Sequence, residues 1–154
     1  MGLDQYLYAK TYVSSSLSTE PNGTYKKIIE LLGAEELVKN ATYPAAIVAI
    51  QVGYWRKSNH IHNWFVDNCQ DGVDDCRESN VGFSQIEDLL DLCRKTIADK
   101  TLANVLLPTV EGFFFGGTEY DDYYFEDIER TIITLENIIK LIDDNYSLYY
   151  RSSW

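Results

Sequence analysis

Apolar and polar residues alternate over residues 3–13. Leu3, Leu7, Ala9 and Val13 fall to one side, and Tyr6, Tyr8 and Tyr12, with Asp4 and Lys10, to the other. A period of two predicts a strand with both faces at least partly covered. Residues 14–23 form a polar loop with a Pro21-Asn22-Gly23 turn. A short helix over Thr24–Leu32, stopped by Gly33, follows, and residues 34–39 add another turn or two. Residues 45–54 (AAIVAIQVGY) are a near-continuous apolar run of strand length and read as a central strand.

A helix over residues 55–68 is expected directly after that strand, broken by Asp71-Gly72, which opens an acidic loop. Residues 81–83 read as a short extended piece. Ser84-x-x-Glu87 fits a capping box, opening a helix with Ile86, Leu89, Leu90, Cys93 and Ile97 on its inner side. Residues 101–107 continue as a short helix to Pro108, and residues 113–115, between glycines, read as a short buried strand. From Asp121/Asp122, the residues Phe125, Ile128, Ile132, Leu135, Ile139 and Ile142 repeat at helical spacing, a long core stripe. Residues 146–151 return as a last strand, and the packing of Trp154 in the core beside an edge strand is the plainer expectation for this end. The sum is a single α+β domain, a small mixed β-sheet packed by about four helices.

Composition narrows the classes. A chain of 154 residues, 45% hydrophobic and 14% aromatic, is long and apolar enough for one core and excludes a disordered segment. No apolar run approaches 18 residues, so no membrane span is expected. The start MGLDQYLYAK has an early acid and no apolar stretch, so no secretory signal is expected. Tyr6 stands where N-myristoylation needs Ser or Thr. Cys69, Cys76 and Cys93 are an odd set without a framework spacing, as in reduced cytosolic proteins. With 24 acids against 13 bases the net charge is −11, which argues against direct binding along a nucleic-acid backbone. A small anion on a local basic patch, or an acidic face docked on a basic partner, both remain.

The densest chemistry lies in residues 54–65, YWRKSNHIHNWF. On a helix at about 100° per residue, Arg56, Asn59, His60, Asn63 and Asp67 form one stripe. Arg56 offers a planar fork for phosphate or carboxylate, Lys57 a point charge, and His60 a donor or proton shuttle. Asn59 and Asn63 could read the polar edge of a base or ribose, with Trp55 and Trp64 as stacking surfaces. The plainer alternative is a solvated face with the aromatics in the core.

Other constellations are weaker. His60 and His62 are two residues apart, on opposite sides of a helix, and the cysteines lack CxxC spacing, so no metal or other cofactor is expected. Residues 67–78 approach a calcium loop, but Cys69 occupies a ligand position and no exit helix follows; an acidic turn is the better reading. Gly112-Phe-Phe-Phe-Gly-Gly117 precedes a helix without a lysine and with an acidic first turn. It suits the wall of a pocket, with Tyr120 exposed at the bend, better than a phosphate loop. Arg151 sits among Tyr149, Tyr150 and Trp154, residue types common at binding hot spots. No nucleophile set is apparent. His60 could act as acid or base only if the fold brings Asp67, Asp71 or Glu119 to it.

The blocks MGLDxYLY, YWRKxNxIHxWF followed by QDGVDDC, LLPTxxGFFFGGTEYD and a final YYRxSW resemble those of a family of small bacteriophage and prophage proteins without assigned catalytic residues. The resemblance spans most of the chain, residues 14–43 being the least clear part. It implies a viral or prophage origin and a setting in the host cytoplasm. The expected function is binding of a small anionic, nucleotide-like ligand without turnover, as an anti-defence sponge. The site would comprise Trp55, Arg56, Lys57, Asn59, His60, Asn63, Trp64, Tyr120 and Arg151. The alternatives are an acidic protein–protein inhibitor mimicking nucleic acid, and a hydrolase using His60. A homo-oligomer stays open.

Overall fold

The computed structural model describes residues 2–16 and 23–154. Its elements run β1 (Asp4–Ser14), α1 (Thr24–Leu32), α2 (Glu35–Val38), β2 (Ala45–Arg56), α3 (Asn59–Cys69), β3 (Ser79–Val81) and α4 (Phe83–Ala98). A 3-10 turn (Lys100–Leu102) leads into α5 (Ala103–Leu106), α6 (Asp122–Leu141) and β4 (Ser147–Ser153). Four helices, α1, α3, α4 and α6, have nine residues or more. The α+β class is as expected, although all three strand pairings are antiparallel, so the sheet is not mixed in direction. Residues 21 and 22 of the expected turn lie outside the described residues.

The strand order is β2-β1-β4-β3. This reverses two expectations: β2, apolar enough for a centre, lies at the edge, and β4 is an interior strand between β1 and β3. One face of β1, carrying Gln5, Leu7 and Ala9, is buried beneath the helices. Phe65 of α3 stacks on Tyr150 of β4 at 4.0 Å between centroids, and Trp55 of β2 donates through Nε1 to Thr131 Oγ1 of α6 at 2.8 Å. Ile86, Leu89 and Cys93 of α4 and Ile128 and Leu135 of α6 complete this core. The opposite sheet face leaves Tyr12 and Tyr54 exposed and Tyr6, Tyr8 and Tyr149 partly so.

A bulge sets the phase of β2. Leu7 pairs with Gly53 but Tyr8 with Gln51, so Val52 is the extra residue, and Gly53 and Trp55 turn inward opposite Leu7 and Gln5. The Trp55 ring lies over Gly53: a Cβ there would stand 2.7 Å from its Cη2.

Several local expectations shift. The helix foreseen over residues 55–68 starts only at Asn59, because Trp55 and Arg56 still belong to β2 and Lys57 takes a left-handed conformation with φ 59°. The capping box at Ser84 is not formed. Helix α4 begins at Phe83, and the Gln85 side chain accepts from the Gly82 N–H at 2.7 Å, two residues earlier. Residues 113–115 are a turn and not a buried strand, with Phe113 96% exposed. Trp154 is half-exposed, outside the core, donating to Asp74 Oδ1 at 3.1 Å. The helix at Asp121 is as read, Asp121 accepting from the Tyr124 N–H at 3.1 Å.

Candidate functional site

The site grows from the elbow between β2 and α3. Lys57 N donates to Leu3 O at 2.8 Å, and the left-handed Lys57 turns the chain sharply into the helix. Ser58, in the N-cap position, sends its hydroxyl to Asp127 of α6 instead of to the helix. No side chain therefore caps α3, and its first-turn N–H groups keep the partial positive charge of a helix start.

Asn59 fastens the glycine-flanked loop against this elbow. Its Nδ2 donates to Gly117 O at 2.8 Å and Phe115 O at 3.2 Å, while its Oδ1 accepts from Val110 N at 3.0 Å. Leu3 N donates to Phe114 O at 2.9 Å, so β1, the elbow and the loop are tied together. Gly116 passes so close to the elbow that a Cβ on it would stand 3.0 Å from Lys57 Cβ.

Between them lies a cavity of about 410 Å³, walled by Arg56, Lys57, His60, Glu119, Tyr123 and Arg130 among others. The His60 ring lines it, 3% exposed and packed 4.3 Å from the Tyr124 ring, centroid to centroid. No hydrogen bond reaches that ring among the described residues, and its buried Nε2 has no partner. Burial lowers its pKa from the ordinary 6.5 to about 3, so the imidazole is neutral in any near-neutral solution. The Tyr124 hydroxyl donates to Leu107 O at 2.8 Å, and burial raises its pKa.

The charges around the cavity are unequally engaged. Asp127 accepts from Ser58 and from Arg130, and Asp121 caps α6. Arg56 lies 3.9 Å from Asp4 at an exposed position, where such a pair is worth little. Lys57 makes no ion pair among the described residues. The free charge at the elbow is thus cationic, while Glu119, which makes no ion pair among the described residues, lines the same cavity. Among the described residues no three acidic, histidine or cysteine side chains converge as a metal site would require.

The structure gathers Arg56, Lys57, Asn59 and His60 of the foreseen set, and disperses the rest. Asn59 lines the cavity, but its polar atoms are spent on the loop backbone and cannot read a ligand. Asn63 donates to Asp67 at 3.2 Å, away from the cavity. Trp55 and Trp64 are core residues, 5% and 8% exposed, and offer no stacking surface. The Tyr120 hydroxyl accepts from Thr109 N at 3.3 Å, and Arg151 is exposed on the outer sheet face opposite Tyr6. The pairing of His60 with Asp67, Asp71 or Glu119 does not occur. His62 is the histidine beside a carboxylate, that of Asp74. Of the acids of residues 67–78, Asp71 and Asp75 turn to Arg77, Asp74 to His62 and Trp154, Asp67 to Asn63 and Glu78 to Lys10.

Sequence reasoning missed Tyr123 and Arg130. Tyr123, Asp127 and Arg130 stand at i, i+4 and i+7 on α6 and so share one helix face, but nothing local says that this face meets the elbow. Compared with protein-family models, curated proteins and solved structures, the chain matches none. The functional reading therefore rests on the site.

Proposed function

We propose that this protein binds a small anionic ligand with a planar ring, of the nucleotide class, and does not transform it. The observation that carries the reading is a conjunction at one cavity. An uncapped helix start, a Lys57 ammonium with no ion pair among the described residues, and a buried imidazole whose Nε2 has no partner meet at this cavity. The first two favour phosphate or carboxylate oxygens. The neutral His60 ring lines the same cavity, its orphaned Nε2 shielded from solvent. Arg56 and Arg130 stand at the rim to hold further anionic oxygens, and Tyr123, 76% exposed, is the ring placed for stacking.

Binding without turnover follows from the same groups. A histidine held neutral, with no carboxylate to orient it, is a poor proton shuttle near neutral pH. In the host setting that the phage-like blocks imply, such a protein would sequester a nucleotide signal of the host's defence.

Isothermal titration calorimetry with a panel of nucleoside monophosphates, cyclic nucleotides and ADP-ribose tests the reading. Heat with at least one member, weakened about tenfold or more in Lys57→Ala, and recovery of the ligand unchanged are expected. No heat with any member, or steady conversion of a bound one, would overturn it.

A further inference from the structure

We propose that residues 24–56 form the face through which two copies of this chain pair, edge to edge along β2, independently of any ligand in the cavity. β2 has the sequence of a strand paired on both sides. From Ala45 to Trp55 it carries no charge and no proline, yet only β1 pairs with it among the described residues. Natural edge strands are ordinarily blunted by charges, prolines or bulges, because an open edge invites another strand. Here the bulge at Val52 lies towards one end, leaving residues 45–51 regular and open.

The elements before it are unfinished in the same way. Over residues 24–52 only Ile29 is buried. Leu31 and Leu37 are each 86% exposed, Tyr43 79% and Ile47 70%. Leu32 is 73% exposed and Ile50 and Tyr54 48% each, so exposed apolar side chains run along the strand and the two helices before it.

Charge selects the occupant. Residues 24–56 hold four bases and three acids, while the rest of the chain holds nine bases and twenty-one acids. A second copy meets nearly balanced charge here, whereas the remainder of the molecule taken together is strongly acidic. A strongly basic partner would be drawn to the remainder instead. Antiparallel pairing about a two-fold axis at Val48 sets Ile47 against Ala49 and Ala46 against Ile50. It continues the antiparallel pattern into an eight-stranded sheet. The strand that reads as central in the sequence is then central in the assembly.

Sedimentation velocity on the full chain at roughly 100 μM, well above the dissociation constant of an ordinary specific interface, should show a particle of two chains. Ile47→Lys and Leu37→Glu alter exposed side chains, so circular dichroism should be unchanged while each weakens the dimer at least tenfold. A wild-type monomer would overturn the proposal. So would a dimer indifferent to both substitutions, or a monomer that uses this face only to hold a different protein.

Discussion

His62 Nε2 lies 2.9 Å from Asp74 Oδ2, and the other ring nitrogen lies 2.8 Å from the Tyr150 hydroxyl. A carboxylate only accepts, so Nε2 carries a proton. The chain of bonds continues inward. Tyr150 OH is 3.3 Å from Gln5 Oε1, and Gln5 Nε2 donates to Ser58 O at 3.2 Å, so a buried polar path links the acidic loop to the elbow beside the cavity.

Tyr150→Phe tests that path. Removing one hydroxyl leaves the His62 and Gln5 side chains short of a partner in a site where His62, Tyr150 and Gln5 are all buried. A loss of about 1–3 kcal/mol in unfolding free energy by urea titration is expected. The far-ultraviolet spectrum should be unchanged, since Phe keeps the stack on Phe65.

Acid should act on stability through His60. Its folded pKa is about 3, and its unfolded value 6.5. Between these the unfolded chain binds a proton that the native chain does not. The contribution is therefore absent above pH 6.5, and stability falls as pH drops through the window, by up to ~1.4 kcal/mol per unit. His60→Phe removes this component. Urea titrations from neutral pH to about 4 should show wild type losing stability faster than the variant, with the gap closing above 6.5.

What could be read in the sequence was what local period dictates. The strict alternation of β1 and the 3-4 repeat of α6 survive into the structure because each buries one uninterrupted face. The elbow was illegible: Trp55-Arg56-Lys57-Ser58 contains neither glycine nor proline, and only tertiary bonds to Leu3 and Asp127 hold Lys57 left-handed. Apolar content placed β2 at the centre of the sheet, whereas hydrogen bonding gives that place to β4. Lys57 and His60 reach one cavity despite the wrong helix start. Arg130 arrives from a helix more than seventy positions away, which no spacing rule could announce.

Thiol chemistry should separate the cysteines. Burial pushes the Cys69 and Cys93 thiols up to about 12, so both stay protonated and poorly nucleophilic. Alkylation with iodoacetamide at mildly alkaline pH, read by mass spectrometry, should mark the half-buried Cys76 first and leave Cys93 unmodified until denaturant is added. Early labelling of Cys93 in the folded protein would contradict its burial on the core face of α4.

Gly116 couples the fold to the cavity. Its φ is 91°, a conformation that costs an L-residue of order 1–3 kcal/mol, and an added Cβ would meet Lys57 Cβ at 3.0 Å and the Lys57 carbonyl oxygen at 3.2 Å. The carbonyl cannot swing aside, because it accepts from the Asn59 N–H at 3.0 Å in the elbow. Gly116→Ala should therefore lower stability by about 1–3 kcal/mol and, by displacing Lys57, weaken any ligand that uses it. Gly117 is the control: nothing lies within 4 Å of its added Cβ and its φ is outside the left-handed region, so Gly117→Ala should shift stability by less than about 0.5 kcal/mol. Equal effects of the two substitutions, measured by urea unfolding, would mean that the loop yields freely and that Lys57 is not held by it.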